Sequence, residues 1–135
     1  MEFDALFLRA TTSLNHLTFH LSQKARHHDM VVIDDPLSII RCTNKVYLTE
    51  LLEREKISMP VSRLIFRSNN NTFDEIAACV GSPFIIKIPD GSFSHGMHKV
   101  SDEAGFRKAT DTLFEKSAIL LAQEYIPTEF DWRIG

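Results

Sequence analysis

Apolar positions along the chain fall into short runs and helical stripes separated by turn residues, a pattern that predicts alternating strands and helices. Residues 3–9, FDALFLR, read as a strand. A helix is predicted from Ser13 to about His28, with Leu14, Leu17, Leu21 and Ala25 on one face. Met30 to Ile33 forms a second strand. Asp34-Asp35-Pro36 then breaks the pattern, because proline restrains the residue before it and lacks an N–H. The opening therefore reads as β-α-β. From Thr43, the expected N-cap, a helix runs to about Lys56, with Tyr47, Leu48, Leu51 and Leu52 as its buried stripe and Pro60 beyond its end.

A strand is expected at Val61 to Phe66, and Asn69-Asn70-Asn71 marks a turn. Thr72 and Glu75 have the spacing of a capping box, which starts a helix ending near Gly81. FIIKI at 84–88 reads as a strand and Met97 to Val100 as its return. Ser101-Asp102-Glu103 places a cap and acids at the positive end of a helix reaching Lys116. Ala118 to Ile126 extends as a largely apolar strand, and a further strand is expected from Phe130 to Gly135, with the chain cut inside it. The expected sheet is mainly antiparallel, built from 61–66, 84–88, 97–100 and 119–126, with the helices at 72–80 and 102–116 on one face.

Composition narrows the partners. With 15 Lys plus Arg against 18 Asp plus Glu, the net charge of −3 supplies no general field for nucleic acid or an anionic membrane, so a phosphate must be bound locally. The N-terminal MEFDALFLRA carries acids where a secretory signal carries bases, and no apolar run approaches the ~20 residues that span a bilayer. A soluble, cytoplasmic protein is expected. Cys42 and Cys79 form neither a CxxC pair nor a disulfide framework, and read as packing thiols.

Candidate chemistry centres on FIIKIPDGSFSHGM, residues 84–97. Lys87 alternates with Phe84, Ile86 and Ile88, which puts it with Ile85 on the opposite face. That face is either simply solvated or a place for an anion. Gly91 and Gly96 let backbone approach a ligand, and Ser92, Ser94 and nearby amides are suitable donors to phosphate, although a hairpin tip has the same composition. Lys45 lies in the first turn of its helix, where a cation opposes the dipole unless an anion is held there; the alternative is a side chain extended into water. Gln123-Glu124-Tyr125-Ile126 ends a strand before Pro127, leaving main-chain groups that can read the edge of a base. Asp131 and Arg133 alternate on one face, as an ion pair or as holders of a ribose and an anionic substrate. His16 and His20 have metal-ligand spacing on a helix, but no HExxH motif or carboxylate accompanies them, and a polar helix face is favoured.

Lys45, Lys87, the glycine and serine loop, QEYI and Asp-x-Arg, in this order, resemble the RimK-type branch of the ATP-grasp ligases. The likeness extends through VVIDDPLSIIRCTNKVYLTELL, IPDGSFSHGM and QEYIPTEFDWRIG. It implies an α+β fold: an ATP-grasp N-terminal subdomain at 38–135, preceded at 1–37 by a β-α-β remnant of the pre-ATP-grasp domain. It also implies a ligase that uses ATP to turn a carboxylate into an acyl phosphate, which an amine attacks to form an amide. The substrates would be small carboxylates and amines, such as an amino acid or peptide. By the same resemblance Lys45 and Lys87 contact ATP phosphates, and residues 91–97, including His95, form a flap over them. Lys87 stands on the sheet face that forms the nucleotide floor, Gln123 is a cofactor-binding residue of the QEYI motif, Glu124 to Ile126 line the adenine edge, and Asp131 holds the ribose, with Glu129 a neighbour. Arg133 is the catalytic candidate, facing substrate or the reacting phosphate. The ligands for Mg²⁺ are expected beyond Gly135, in a second subdomain. The competing class is a non-catalytic nucleotide-binding or protein-interaction module.

Overall fold

The computed structural model describes residues 3–11, 13–90 and 96–132. The chain divides into two compact units, Met1–Ile57 and Ser58–Gly135.

In the first unit, β1 (Ala5–Phe7) and β2 (Val31–Ile33) pair in parallel, with Leu6 opposite Val32, and α1 (Leu17–His27) forms the crossover. The expected β-α-β opening is present, but the leucine stripe of α1 is not its inward face. Thr18, Ser22 and Ala25 are buried, whereas Leu17 and Leu21 are exposed. Small side chains let a helix lie close to short strands, and both hydroxyls are satisfied: Ser22 donates to the Asp34 carbonyl at 2.7 Å and Thr18 to that of Thr11 at 3.2 Å.

Asp35 and Pro36, expected as a break, instead start a helix, α2 (Pro36–Thr43). Asp35 caps it by accepting from the N–H groups of Leu37 and Ser38, and proline at the first position gives up no bond, since that N–H has no intrahelical partner. The following helix, α3 (Lys45–Arg54), is capped by Asn44 rather than Thr43, which closes α2. Its stripe is only half-buried at Leu48, Leu51 and Leu52, and Tyr47 is exposed.

The second unit is an α+β layer pair. Its strands β3 (Ser62–Phe66), β4 (Phe84–Lys87), β5 (Met97–Val100) and β6 (Ile119–Glu124) form one antiparallel sheet in the order β3-β6-β4-β5. The helices α4 (Phe73–Val80) and α5 (Glu103–Phe114) cover one face of it. Both start where the sequence places caps. Thr72 and Glu75 form the reciprocal capping box, Gly81 ends α4 at φ +81°, and Asp102 caps α5.

The core lies between sheet and helices: Ile65, Phe84, Ile86, Val100, Leu120 and Ala122 meet Ile76, Val80, Phe106, Ala109 and Leu113. Phe73 stacks on Phe84 at 5.6 Å between ring centroids. Burial of each large apolar side chain contributes about 1.5–3 kcal/mol, which holds the sheet flat against α4 and α5 and fixes which side of each strand faces away. The strand expected at 130–135 is not formed at Phe130 to Trp132; Arg133 to Gly135 lie outside the described residues.

Candidate functional site

The alternating burial of β4 turns Phe84 and Ile86 into the core and leaves Ile85 and Lys87 on the face away from the helices. Register then assembles that face. Lys87 lies opposite Leu121 on one side and Met97 on the other, while Ile85 lies between Gln123 and Lys99, and Gln123 faces Ser62. The Lys87 ammonium donates to Gln123 Oε1 at 2.6 Å. The amide nitrogen of Gln123 donates to Ser62 Oγ at 2.9 Å, and Ser62 donates to the Pro60 carbonyl at 3.0 Å. This relay crosses three strands and fixes the orientation of the Gln123 amide, so Lys87 is held on the sheet rather than extended at random.

β6 stops at Glu124, and Tyr125 and Ile126 continue beyond the sheet with exposed side chains. The Glu124 carboxylate accepts from the Val61 N–H at 3.1 Å, while its own N–H donates to the Val61 carbonyl at 2.8 Å. Its side chain thus ties the end of β6 to the approach of β3, a structural task that the strand-end reading did not include. Lys99, on the same sheet face as Lys87, lies with its ammonium 3.6 Å from the centroid of the Tyr125 ring.

Lys45 is the first residue of α3, and no acid occupies that first turn. The helix-end amides invoked for anion binding are partly committed: the N–H groups of Val46 and Tyr47 both donate to Asn44 Oδ1, at 3.0 and 3.1 Å. Gly96 adopts φ +75°, and an added Cβ would lie 3.4 Å from Ile88 and 3.6 Å from Leu113. Glycine there is explained by backbone conformation and packing as well as by any approach to a ligand. Gly91, Ser92, Ser94 and His95, and with them most of the expected flap, lie outside the described residues, as does Arg133. Asp131 is exposed and accepts from Thr128 Oγ1 at 3.2 Å.

His16 has a structural task as the N-cap of α1, its Nδ1 accepting from the Thr18 N–H at 3.3 Å. Among the described residues no group of three or more His, Cys, Asp or Glu side chains could hold a metal ion, and no helix is long and apolar enough to cross a membrane. Sequence reasoning missed Ser62 and Lys99. Alternation along β5 places Lys99 with Met97 and was a usable signal; Ser62 becomes visible only through the register with Gln123.

The antiparallel sheet with its helices on one face is a fold shared with ATP-grasp proteins of known structure. The RimK domain ATP-grasp protein of Sphaerobacter thermophilus superposes with a TM-score of 0.73 at 16% identity, covering 96% of this chain and 48% of that one. The D-alanine–D-alanine ligase of Bacillus anthracis complexed with ATP gives 0.64 at 21% identity, over 79% of this chain and 35% of that one. In sequence the likeness is to ligases of the RimK type. The ribosomal protein bS6–L-glutamate ligase of Shigella boydii serotype 4 is 27% identical over 128 residues, 93% of this chain. The alpha-aminoadipate–LysW ligase LysX of Sulfolobus acidocaldarius is 28% identical over 130 residues, 96% of this chain. The chain spans 41% and 42% of the length of these two relatives. No protein-family model matches it.

Proposed function

We propose that this chain is the nucleotide-binding part of an ATP-dependent carboxylate–amine ligase acting on an amino acid or peptide in the cytoplasm. The observation that carries the reading is Lys87, held by Gln123 on the sheet face away from α4 and α5, beside a strand that ends at Glu124 and runs on into Tyr125-Ile126, in a chain similar to such ligases over nearly its whole length.

In the reaction a substrate carboxylate oxygen attacks the γ-phosphorus of ATP, ADP leaves, and an acyl phosphate forms. An amine then adds to the acyl carbon, inorganic phosphate leaves with the C–O bond electrons, and the amine gives up a proton as the amide forms. Lys87 is assigned to the phosphate oxygens, where its charge opposes the negative charge gathered during transfer. Lys45 is assigned to phosphate as well, Glu124 to Ile126 to the adenine edge, and Asp131 to the ribose. The loop at 91–97 is assigned to closure over the phosphates and Arg133 to the reacting groups. Magnesium, which the fold family implies, is assigned to ligands of a second subdomain.

The test is calorimetric titration of the complete polypeptide with ATP, followed by assay of ADP release with candidate amino acids and peptides. Micromolar to millimolar ATP binding that Lys87→Ala weakens supports the reading; absence of ATP binding overturns it.

A further inference from the structure

The face that carries Lys87 has a direction, and Lys99 lies part way along it. Lys87 is level with Met97 and Leu121; two positions along the pairing, Ile85 is level with Lys99 and Gln123; one position beyond that, Phe84 is level with Glu124, after which Tyr125 leaves the sheet. Lys99 is therefore displaced from Lys87 toward the end of β6. Lys87 and Lys99 are diagonal neighbours on adjacent strands, where two ammonium groups repel and a separate partner for each offsets the cost. Lys87 is engaged by Gln123 and Lys99 by the Tyr125 ring.

We infer that Lys99 is a positioning residue for the base: its ammonium, 3.6 Å from the Tyr125 ring centroid, anchors the first residue after β6 and so fixes the main chain of Tyr125 and Ile126. The inference rests on the assignment of that segment to the adenine edge. Tyr125 is more than a third exposed and has no strand to hold it, so the cation contributes an anchor that the sheet does not. The contact also occupies a ring face, which directs base recognition to main-chain groups and away from stacking on that face. Selectivity among purines, more than phosphate affinity, then depends on Lys99.

The experiment compares ATP with inosine triphosphate, which differs from it at the Watson–Crick edge, in titrations of the complete polypeptide. In Lys99→Met the preference for ATP is expected to fall by about two- to fivefold, the size of an exposed cation–π contact, with the melting temperature within about 2 °C of the parent. Lys99→Arg, which keeps the cation over the ring, restores the preference. Tyr125→Leu, which removes the ring, reproduces the loss. An unchanged preference in Lys99→Met, or failure of Lys99→Arg to restore it, overturns the inference while ATP binding by the parent leaves the site reading intact. If the parent binds neither nucleotide, the site reading fails and takes this inference with it.

Discussion

Lys87 and Gln123, 36 positions apart in sequence, are joined by a 2.6 Å hydrogen bond because β4 and β6 pair antiparallel with Ile85 opposite Gln123. The amide in turn donates to Ser62, so one side chain couples the central strands to β3. Gln123→Met keeps the side-chain length and removes both bonds. The expected result is a loss of about 1 kcal/mol in stability and about three- to tenfold in ATP affinity, as Lys87 loses its acceptor. Denaturant unfolding and nucleotide titration check the two effects; full ATP affinity in this variant would show that Lys87 needs no such support.

The capping box of α4 is a separate contribution to the sheet layer. Thr72 Oγ1 accepts from the Glu75 N–H at 3.3 Å, and the Glu75 carboxylate accepts from the Thr72 N–H at 3.0 Å. Thr72→Ala is expected to cost about 1 kcal/mol, a fall of roughly 4–8 °C in the melting temperature of a domain this size, while ATP affinity is retained. Thermal unfolding monitored by circular dichroism measures it, and Thr72→Ser should recover most of the loss.

Acid should act on α2. The Asp35 carboxyl is held below its ordinary value, chiefly by the Ser38 hydroxyl and further by the N–H groups of Ser38 and Leu37 and the charge of Arg26, against a smaller opposing effect of burial. A depressed folded-state value means that the cap contributes its stability above the unfolded carboxylate value, about 4, and loses it as pH falls through the lower folded value. Glu103 behaves alike, lowered by Arg107 first and then by the Phe73 N–H. The melting temperature should therefore decline from pH 5 toward pH 3. In Asp35→Asn, which still accepts from Leu37, the decline should be shallower; an identical slope in parent and variant would remove Asp35 from the explanation.

Much of the second unit was legible because its signals are local. Thr72 and Glu75 announce a helix start, Gly81 its end, and the alternation of Phe84, Ile86 and Lys87 assigns faces before any partner is known. The first unit was harder. Leu17 and Leu21 carry the larger hydrophobicity, but the burial of Thr18 and Ser22 depends on hydroxyl acceptors at Thr11 and Asp34, which are set by tertiary placement. Asp35-Pro36 fits both a break and a helix start, and the two share the same residues. At the site, Lys87, Gln123 and Tyr125 could be named from sequence. The Ser62 relay and the Lys99–Tyr125 contact required the register of four strands, and the Glu124–Val61 bond a meeting of segments 63 residues apart.

The sharpest test of the site is Lys87→Ala. Lys87 stands off the core face of β4, so truncation leaves no void among Phe84, Ile86 and their helix partners, and the fold should persist. Its removal deprives Gln123 Oε1 of a donor, a cost of about 1 kcal/mol at a half-buried position. For ATP the loss is larger, because a charge-assisted hydrogen bond to phosphate contributes about 1.5–3 kcal/mol, equivalent to about ten- to a hundredfold in affinity. If the ammonium also meets charge that grows during phosphoryl transfer, turnover falls further than affinity, and kcat drops even at saturating ATP. Nucleotide titration, steady-state ADP release and thermal unfolding on parent and variant separate these effects. Unchanged affinity and turnover would remove Lys87 from the nucleotide site, and a collapsed melting temperature would make it a residue of the fold instead.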